Sequence, residues 1–138
     1  MPLIAHSTYT HPFILRGGHI QTILPSYRKV EDFSYDYERI ETPDNDFLDL
    51  AWRTQNSRKL MIATHGLEGN SERPYMRGIA KAFFEAGYDV LAWNCRSCSG
   101  EMNRQLRLYN HGDIDDIDCV VQHALQKKGY DSIILIGF

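Results

Sequence analysis

The feature that most constrains this 138-residue chain is an alternation of strand and helix patterns that starts at residue 59. Short apolar runs at 59–64, 88–93 and 132–136 have the length of strands, and segments at 74–86 and 113–128 with helical spacing separate them. A helix between two strands returns the chain parallel to the first strand, normally with a right-handed crossover. Continuous apolar runs are typical of parallel strands that are covered on both faces. The pattern therefore predicts an α/β fold.

The ends of both helices carry recognisable signals. Pro74 suits a first helical position, and Gly87 suits the position just past a helix end. The second helix begins among aspartates and ends in lysines, which complements the helix dipole; these residues are Asp113, Asp115, Asp116, Asp118, Lys127 and Lys128. The aspartates are thus explained without a metal, and we predict no metal site and no cofactor.

The residues before 59 follow other patterns. Residues 35–53 alternate apolar and polar side chains around a polar turn at 43–46, which predicts an antiparallel β-hairpin at one edge of the sheet. Residues 1–30 contain three prolines and the Gly17-Gly18 pair, so we expect an irregular lead-in lying across the surface. We expect residues 1–138 to form one incomplete domain.

Composition excludes several classes of function. Fifteen basic and eighteen acidic residues give a formal charge of -3, which offers no electrostatic attraction for nucleic acid or an anionic membrane. No run approaches the roughly 20 apolar residues of a membrane span, and no signal peptide is apparent. Three cysteines cannot all pair within the chain, which favours a reducing compartment, so we expect a cytoplasmic protein. The Cys95-to-Cys98 spacing stands alone and is weak evidence for zinc or redox chemistry.

The candidate site lies where the predicted parallel strands end, because ligands of open α/β sheets bind beyond the carboxyl ends of the strands. The loop after Thr64 contains Gly66 and Gly69 and leads into a helix, so its N–H groups are able to hold a phosphate or an oxyanion. The loop matches neither of the glycine-rich motifs of nucleotide-binding proteins, G-x-G-x-x-G and G-x-x-x-x-G-K-[ST]. An ordinary strand-to-helix turn, with His65 as a satisfied polar residue, explains the loop equally well on spacing alone.

The third strand favours the oxyanion interpretation. It ends in Gly137 and Phe138, which fit the first two places of the nucleophile elbow G-x-S-x-G. The serine would be the next residue along the chain.

Several motifs occur in one order, and together they resemble the YheT-like branch of the α/β-hydrolases. An R-x-G-H-x-Q-T signature is matched at 16–22, and an H-G-L-E-G…P-Y-x-R-G block at 65–69 and 74–78. The segment 94–101 is similar to the N-x-R-G-C-S-G-E loop of that branch, with Ser97 where the family usually has glycine. The segment 109–113 is similar to Y-H-S-G-D in a different order, so His111 is not a secure equivalent.

The resemblance implies hydrolysis of small acyl esters by a serine, histidine and acid triad. It implies that the backbone N–H of Leu67, in a loop supported by His65 and Gly66, is one oxyanion donor. In this fold the triad follows the elbow, so none of it falls within these residues and the chain alone is expected to be inactive. Two alternatives remain: a non-catalytic fragment that self-associates through its unpaired sheet edge, and a nucleotide-binding α/β domain.

Overall fold

The computed structural model describes residues 8–27, 29–30, 33–110 and 112–138. Five strands and three α-helices are formed in this part of the chain. The strands are β1 Asp36–Glu41, β2 Phe47–Arg53, β3 Lys59–Thr64, β4 Asp89–Asn94 and β5 Ser132–Gly137. The helices are α1 Gly18–Ile23, α2 Pro74–Glu85 and α3 Ile114–Lys127. None of the helices described is long and apolar enough to cross a bilayer.

The strands form one sheet in the order β1-β2-β4-β3-β5. The predicted hairpin is confirmed, since β1 pairs antiparallel with β2. β2 pairs antiparallel with β4, whereas β3 pairs parallel with both β4 and β5. The predicted fold class, an antiparallel hairpin followed by parallel strands with crossover helices, is therefore confirmed. The sequence did not predict that β4 would lie between β2 and β3.

The two longer helices cover opposite faces of the sheet, which explains the continuous apolar runs. Val120 and Ala124 of α3 pack on one core cluster. Met76 and Ala80 of α2 pack on the other. Because β4 lies in the middle of the sheet, all six of its residues are buried.

The predicted end of α2 has a definite structural basis. Gly87 adopts a φ of +87°, a left-handed conformation that glycine enters without a Cβ penalty. Its N–H donates to the carbonyl of Phe84, and the N–H of Tyr88 donates to the carbonyl of Phe83 at 3.0 Å. These two bonds form a Schellman motif, and the rings of Phe83 and Tyr88 pack edge to face across it.

The N-terminal segment is more regular than expected. The described residues contain α1 and two short 3-10 turns, Phe13–Leu15 and Leu24–Tyr27. The second turn contacts α2. Large apolar side chains of this segment remain exposed, including Phe13, Ile14 and Ile23. The expectation of a wholly irregular lead-in is wrong for residues 18–23, where the helix starts directly after Gly17, whose φ is +96°.

Candidate active site at the carboxyl ends of β3 and β5

The predicted site residues meet because β3 and β5 are neighbours. Thr64 at the end of β3 is in register with Gly137 at the end of β5. The loop after Thr64 consequently lies against the end of β5, and a Cβ placed on Gly66 would be 3.5 Å from the carbonyl oxygen of Phe138. The glycine-rich loop after β3 and the end of β5, which resembles the start of an elbow, thus border the same space.

The loop turns sharply between Gly66 and Gly69. The N–H of Gly69 donates to the carbonyl of Gly66 at 2.9 Å, and Glu68 adopts a φ of +53°. A Cβ on Gly69 would be 2.7 Å from the hydroxyl of Tyr75 and 2.9 Å from the carbonyl of Gly66. Only glycine fits here without displacing the backbone, so the second glycine of the motif is required by close packing.

Three of the four amides in this turn are occupied. The N–H of Gly66 donates to the Tyr75 hydroxyl at 2.9 Å, and that of Glu68 donates to the Tyr109 hydroxyl at 2.7 Å. The N–H of Gly69 closes the turn. Among the described residues, the N–H of Leu67 has no acceptor, and the Leu67 side chain is 75% exposed. The turn therefore offers one unpaired main-chain donor, at the position that the resemblance implies.

His65 joins the loop after β3 to the loop after β4. Its side chain is 1% exposed. Its Nε2 accepts from the N–H of Cys95 at 3.0 Å, and its Nδ1 lies 2.8 Å from the carbonyl of Gly66. An amide can only donate and a carbonyl can only accept, so these partners select the neutral tautomer with the proton on Nδ1. This is the geometry of a residue that supports the loop.

Two cavities flank the loop. One of about 280 Å³ lies among the ends of β3, β4 and β5 and reaches Thr64, Trp93, Tyr109 and Phe138. The other, of about 410 Å³, lies on the side of Leu67, Arg73 and the N-terminal segment.

The loop after β4 is held by charges that the sequence analysis did not anticipate. Arg96 is buried at 1% exposure, and its guanidinium binds both carboxylate oxygens of Asp116 at 2.8 Å. It also donates to Asp46 at 2.8 Å and to Asp44 at 2.9 Å. Asp116 is therefore a buried ion-pair partner as well as a charge near the N-terminus of α3. The signal was faint because Asp116 and Asp46 lie 20 and 50 residues from Arg96.

Asp46 receives more hydrogen bonds than Arg96 alone supplies. Burial favours its neutral form, but N–H groups of Arg104, Phe47 and Gln105 and the side-chain amide of Asn103 favour the charged form. Together they lower the pKa of Asp46 to about 2. The carboxylate therefore remains charged at neutral pH and ties two loops together.

The cysteines of this loop lack the features of a reactive pair. Cys95 and Cys98 are both free, and the N–H of Cys98 donates to the carbonyl of Cys95 in a turn. Burial raises the pKa of Cys95 to about 12, so its thiol remains protonated and a poor nucleophile. In the parts of the chain that the structure describes, no group of three or more histidine, cysteine or acidic side chains is placed to hold a metal ion.

Position 111 lies outside the described residues, so the structure does not address the equivalence of His111. Tyr109 from the same stretch contacts the site directly, as described above.

Comparison with known proteins finds relatives whose names describe an esterase and an abhydrolase domain. No family model matches the chain. Over 126 residues, which are 87% of this chain, it is 33% identical to the Escherichia coli (strain K12) protein named "Putative esterase YheT". It is also 27% identical over 146 residues to an abhydrolase domain-containing protein of Dictyostelium discoideum. The chain spans 37% and 35% of the lengths of these two relatives.

Solved structures show the same architecture. The Pyrococcus furiosus esterase Pf2001 matches 78% of this chain with a TM-score of 0.68 and 26% identity, over 41% of the esterase chain. An alpha-beta serine hydrolase homologue from Coxiella burnetii matches 79% with a TM-score of 0.63 and 20% identity, over 54% of that chain, which shows the fold alone. Sequence and fold together confirm the resemblance to the YheT-like branch of the α/β-hydrolases, whose fold the described strands and helices share.

Proposed function

We propose that this chain supplies the oxyanion-binding part of a serine-type hydrolase of carboxylic esters, with the N–H of Leu67 as one of the two oxyanion donors. One observation carries the proposal. Leu67 presents an unpaired N–H from a turn whose neighbouring Gly66 lies against Phe138, at the end of the adjacent parallel strand. An elbow nucleophile placed just after Phe138 would face that donor.

The chemistry then follows from the position of the donor. A serine after Phe138 attacks the acyl carbonyl while a histidine takes its proton and an acid orients the histidine. Negative charge develops on the carbonyl oxygen, and the N–H of Leu67 and the N–H of the residue after the serine stabilise it. The ester C–O bond then breaks and the histidine returns the proton to the departing alcohol. Water, activated by the same histidine, attacks the acyl-serine and releases the carboxylic acid and the free serine. Donors that are already oriented stabilise the transition state without reorganising during the reaction.

In this proposal the triad residues come after Phe138, so the polypeptide of residues 1–138 binds an oxyanion poorly and hydrolyses nothing by itself. The substrate is a small acyl ester, bound in the cavities that flank the loop. The three cysteines are all unpaired, which supports a reducing compartment, and we place the reaction in the cytoplasm.

The test uses p-nitrophenyl esters and a fluorophosphonate probe on two polypeptides. One ends at Phe138, and the other extends past Phe138 into the β-strands encoded next. The longer polypeptide is expected to hydrolyse the ester and to carry the probe on a serine directly after Phe138. The shorter one is expected to do neither. Labelling of the shorter polypeptide, or of a residue elsewhere in the longer one, would contradict the proposal.

A second part of the proposal concerns the polypeptide that ends at Phe138. Its β5 is an edge strand with exposed apolar side chains, Leu135 at 57% and Phe138 at 53% exposure. Unpaired apolar edges template pairing with another strand, so we expect this polypeptide to self-associate. A monomeric light-scattering mass at tens of micromolar would contradict this.

A further inference from the structure

We propose that Tyr75 and Tyr109 are positioning residues for the oxyanion donor: their hydroxyls bind the amides on either side of Leu67 and leave the Leu67 N–H directed at the site. The inference rests on the proposed function and adds two side chains to it. Neither tyrosine touches the reacting atoms in this scheme, because each acts through the backbone of the turn.

Tyr75 holds the amide on the N-terminal side of Leu67. It is the second residue of α2, and its hydroxyl accepts from the N–H of Gly66 at 2.9 Å. Gly69 has no Cβ that would displace that hydroxyl. The ring of Tyr75 also packs edge to face on Phe138, with centroids 4.9 Å apart. Tyr75 thereby fixes the distance between the turn and the end of β5.

Tyr109 holds the amide on the C-terminal side. It comes from the loop after β4, 41 residues from Glu68, and its hydroxyl accepts from the N–H of Glu68 at 2.7 Å. That N–H lowers the pKa of the Tyr109 hydroxyl, but burial and the thiols of Cys98 and Cys95 outweigh it and raise the pKa. The hydroxyl is therefore uncharged at neutral pH and brings no negative charge to the site.

The two bonds also restrict how the turn can relax. Gly66 and Glu68 flank Leu67 in sequence, and their amides are bound from two different elements, α2 and the β4–α3 loop. A peptide between two fixed amides has little freedom to rotate its own N–H away. Fixing a donor in this way removes reorganisation that would otherwise oppose the transition state.

The catalytic test uses Tyr75→Phe and Tyr109→Phe in the complete polypeptide that extends past Phe138. Each variant keeps its ring and loses one acceptor, so we expect kcat to fall about tenfold with KM changed less than about twofold, because the donor acts on the transition state. The matched control is Tyr88→Phe, whose ring packs on Phe83 just past the end of α2, and its kcat should equal that of the wild type. A rise in KM with kcat unchanged would overturn the inference.

A second measurement is independent of catalysis. In protein labelled with ¹⁵N at glycine and glutamate, Tyr75→Phe should speed hydrogen exchange at the Gly66 amide and spare Glu68, and Tyr109→Phe should do the reverse. Unchanged exchange at both amides would overturn the inference, whatever the kinetics. If the wild-type protein hydrolyses no ester, the proposed function fails, and the exchange pattern still decides whether the two hydroxyls position the turn.

Discussion

The two loops at the carboxyl ends of β3 and β4 are neighbours, yet they are held by opposite means. The loop after β3 is fixed by uncharged acceptors: the hydroxyls of Tyr75 and Tyr109, and the side-chain Oδ1 of Asn94, which accepts from the N–H of Ser71. The loop after β4 is fixed by ions, with Arg96 buried among carboxylates and Asp46 accepting from several N–H groups. They meet where His65 accepts from Cys95.

The difference follows from the number of donors that each acceptor takes. In the loop after β3 the hydroxyls of Tyr75 and Tyr109 each accept from one backbone N–H. The N–H of Leu67, which lies between those two amides, therefore stays unpaired. The Asp46 carboxylate takes many: it binds Arg96, Asn103 and the backbone of Phe47, Arg104 and Gln105. Uncharged acceptors thus suit the loop after β3, which we propose presents a donor, and ionic contacts hold the loop after β4 at several points.

Removing the charge of Arg96, in the loop after β4, should have the largest effect on stability. Arg96→Leu leaves Asp46 and Asp116 buried without their cation, and breaking a buried pair costs about 3–5 kcal/mol. We expect the free energy of unfolding in urea to fall by that amount. Arg104→Ala, which breaks a solvent-exposed pair with Glu41, should lower it far less, because water and salt screen that pair.

A second variant guards against simple failure to fold. Arg96→Leu combined with Asp46→Asn and Asp116→Asn removes the unpaired charges as well, so it should recover part of the lost stability. If the triple variant is less stable than Arg96→Leu alone, charge burial is not the reason for the loss.

A methyl group added at Gly69 should distort the loop after β3. In Gly69→Ala the new Cβ meets the Tyr75 hydroxyl and the carbonyl of Gly66, so we expect a loss of about 1–3 kcal/mol in unfolding free energy. Ester hydrolysis by the complete polypeptide should fall about a hundredfold, because the turn moves its donor. The control is Gly78→Ala inside α2, where the nearest atom is 3.9 Å away; it should stabilise by about 0.5–1 kcal/mol.

The two loops should also differ in their response to acid. The folded pKa of Asp46, about 2, lies below its unfolded value, so its contribution is complete above about pH 4 and is lost as pH falls toward 2. That contribution is about 2 kcal/mol. Unfolding free energy measured from pH 5 to 2 should fall steeply in the wild type and less steeply in Asp46→Asn. Equal slopes would assign the acid sensitivity to other groups.

The sequence predicted the local features of this fold better than its site. Pro74, Gly87 and the polar turn at 43–46 carry their conformational preferences with them, so the ends of α2 and the hairpin could be placed without a structure. The strand order could not, because periodicity shows that a strand is buried but not which strand lies beside it. That order decides that Gly66 meets Phe138, so the central contact of the site rested on the match of Gly137 and Phe138 to an elbow and on the family resemblance, and periodicity did not supply it.

The residues that sequence reasoning missed share one property. Tyr109 and Arg96 act through partners distant along the chain, 41 residues away for Glu68 and 50 for Asp46. Neither belongs to a pattern that marks such a role, since a tyrosine in a loop or an arginine after a strand is common. The one available hint was that Arg96 lies two residues after the end of the buried strand β4, where an unpaired charge would be costly.

The smallest expected effect comes from the position where this chain has serine and the related loop usually has glycine. Ser97 adopts a φ of +62°, a left-handed conformation that disfavours any residue with a Cβ. Ser97→Gly relieves that strain but loses a weak bond from the Asn103 N–H at 3.3 Å and makes the unfolded chain more flexible. We expect a net gain of about 0.5 kcal/mol in unfolding free energy. Gly100→Ala, in the same loop at a φ of +98°, should instead destabilise it by about 1 kcal/mol, and a loss in both variants would show that the Ser97 hydroxyl outweighs the strain.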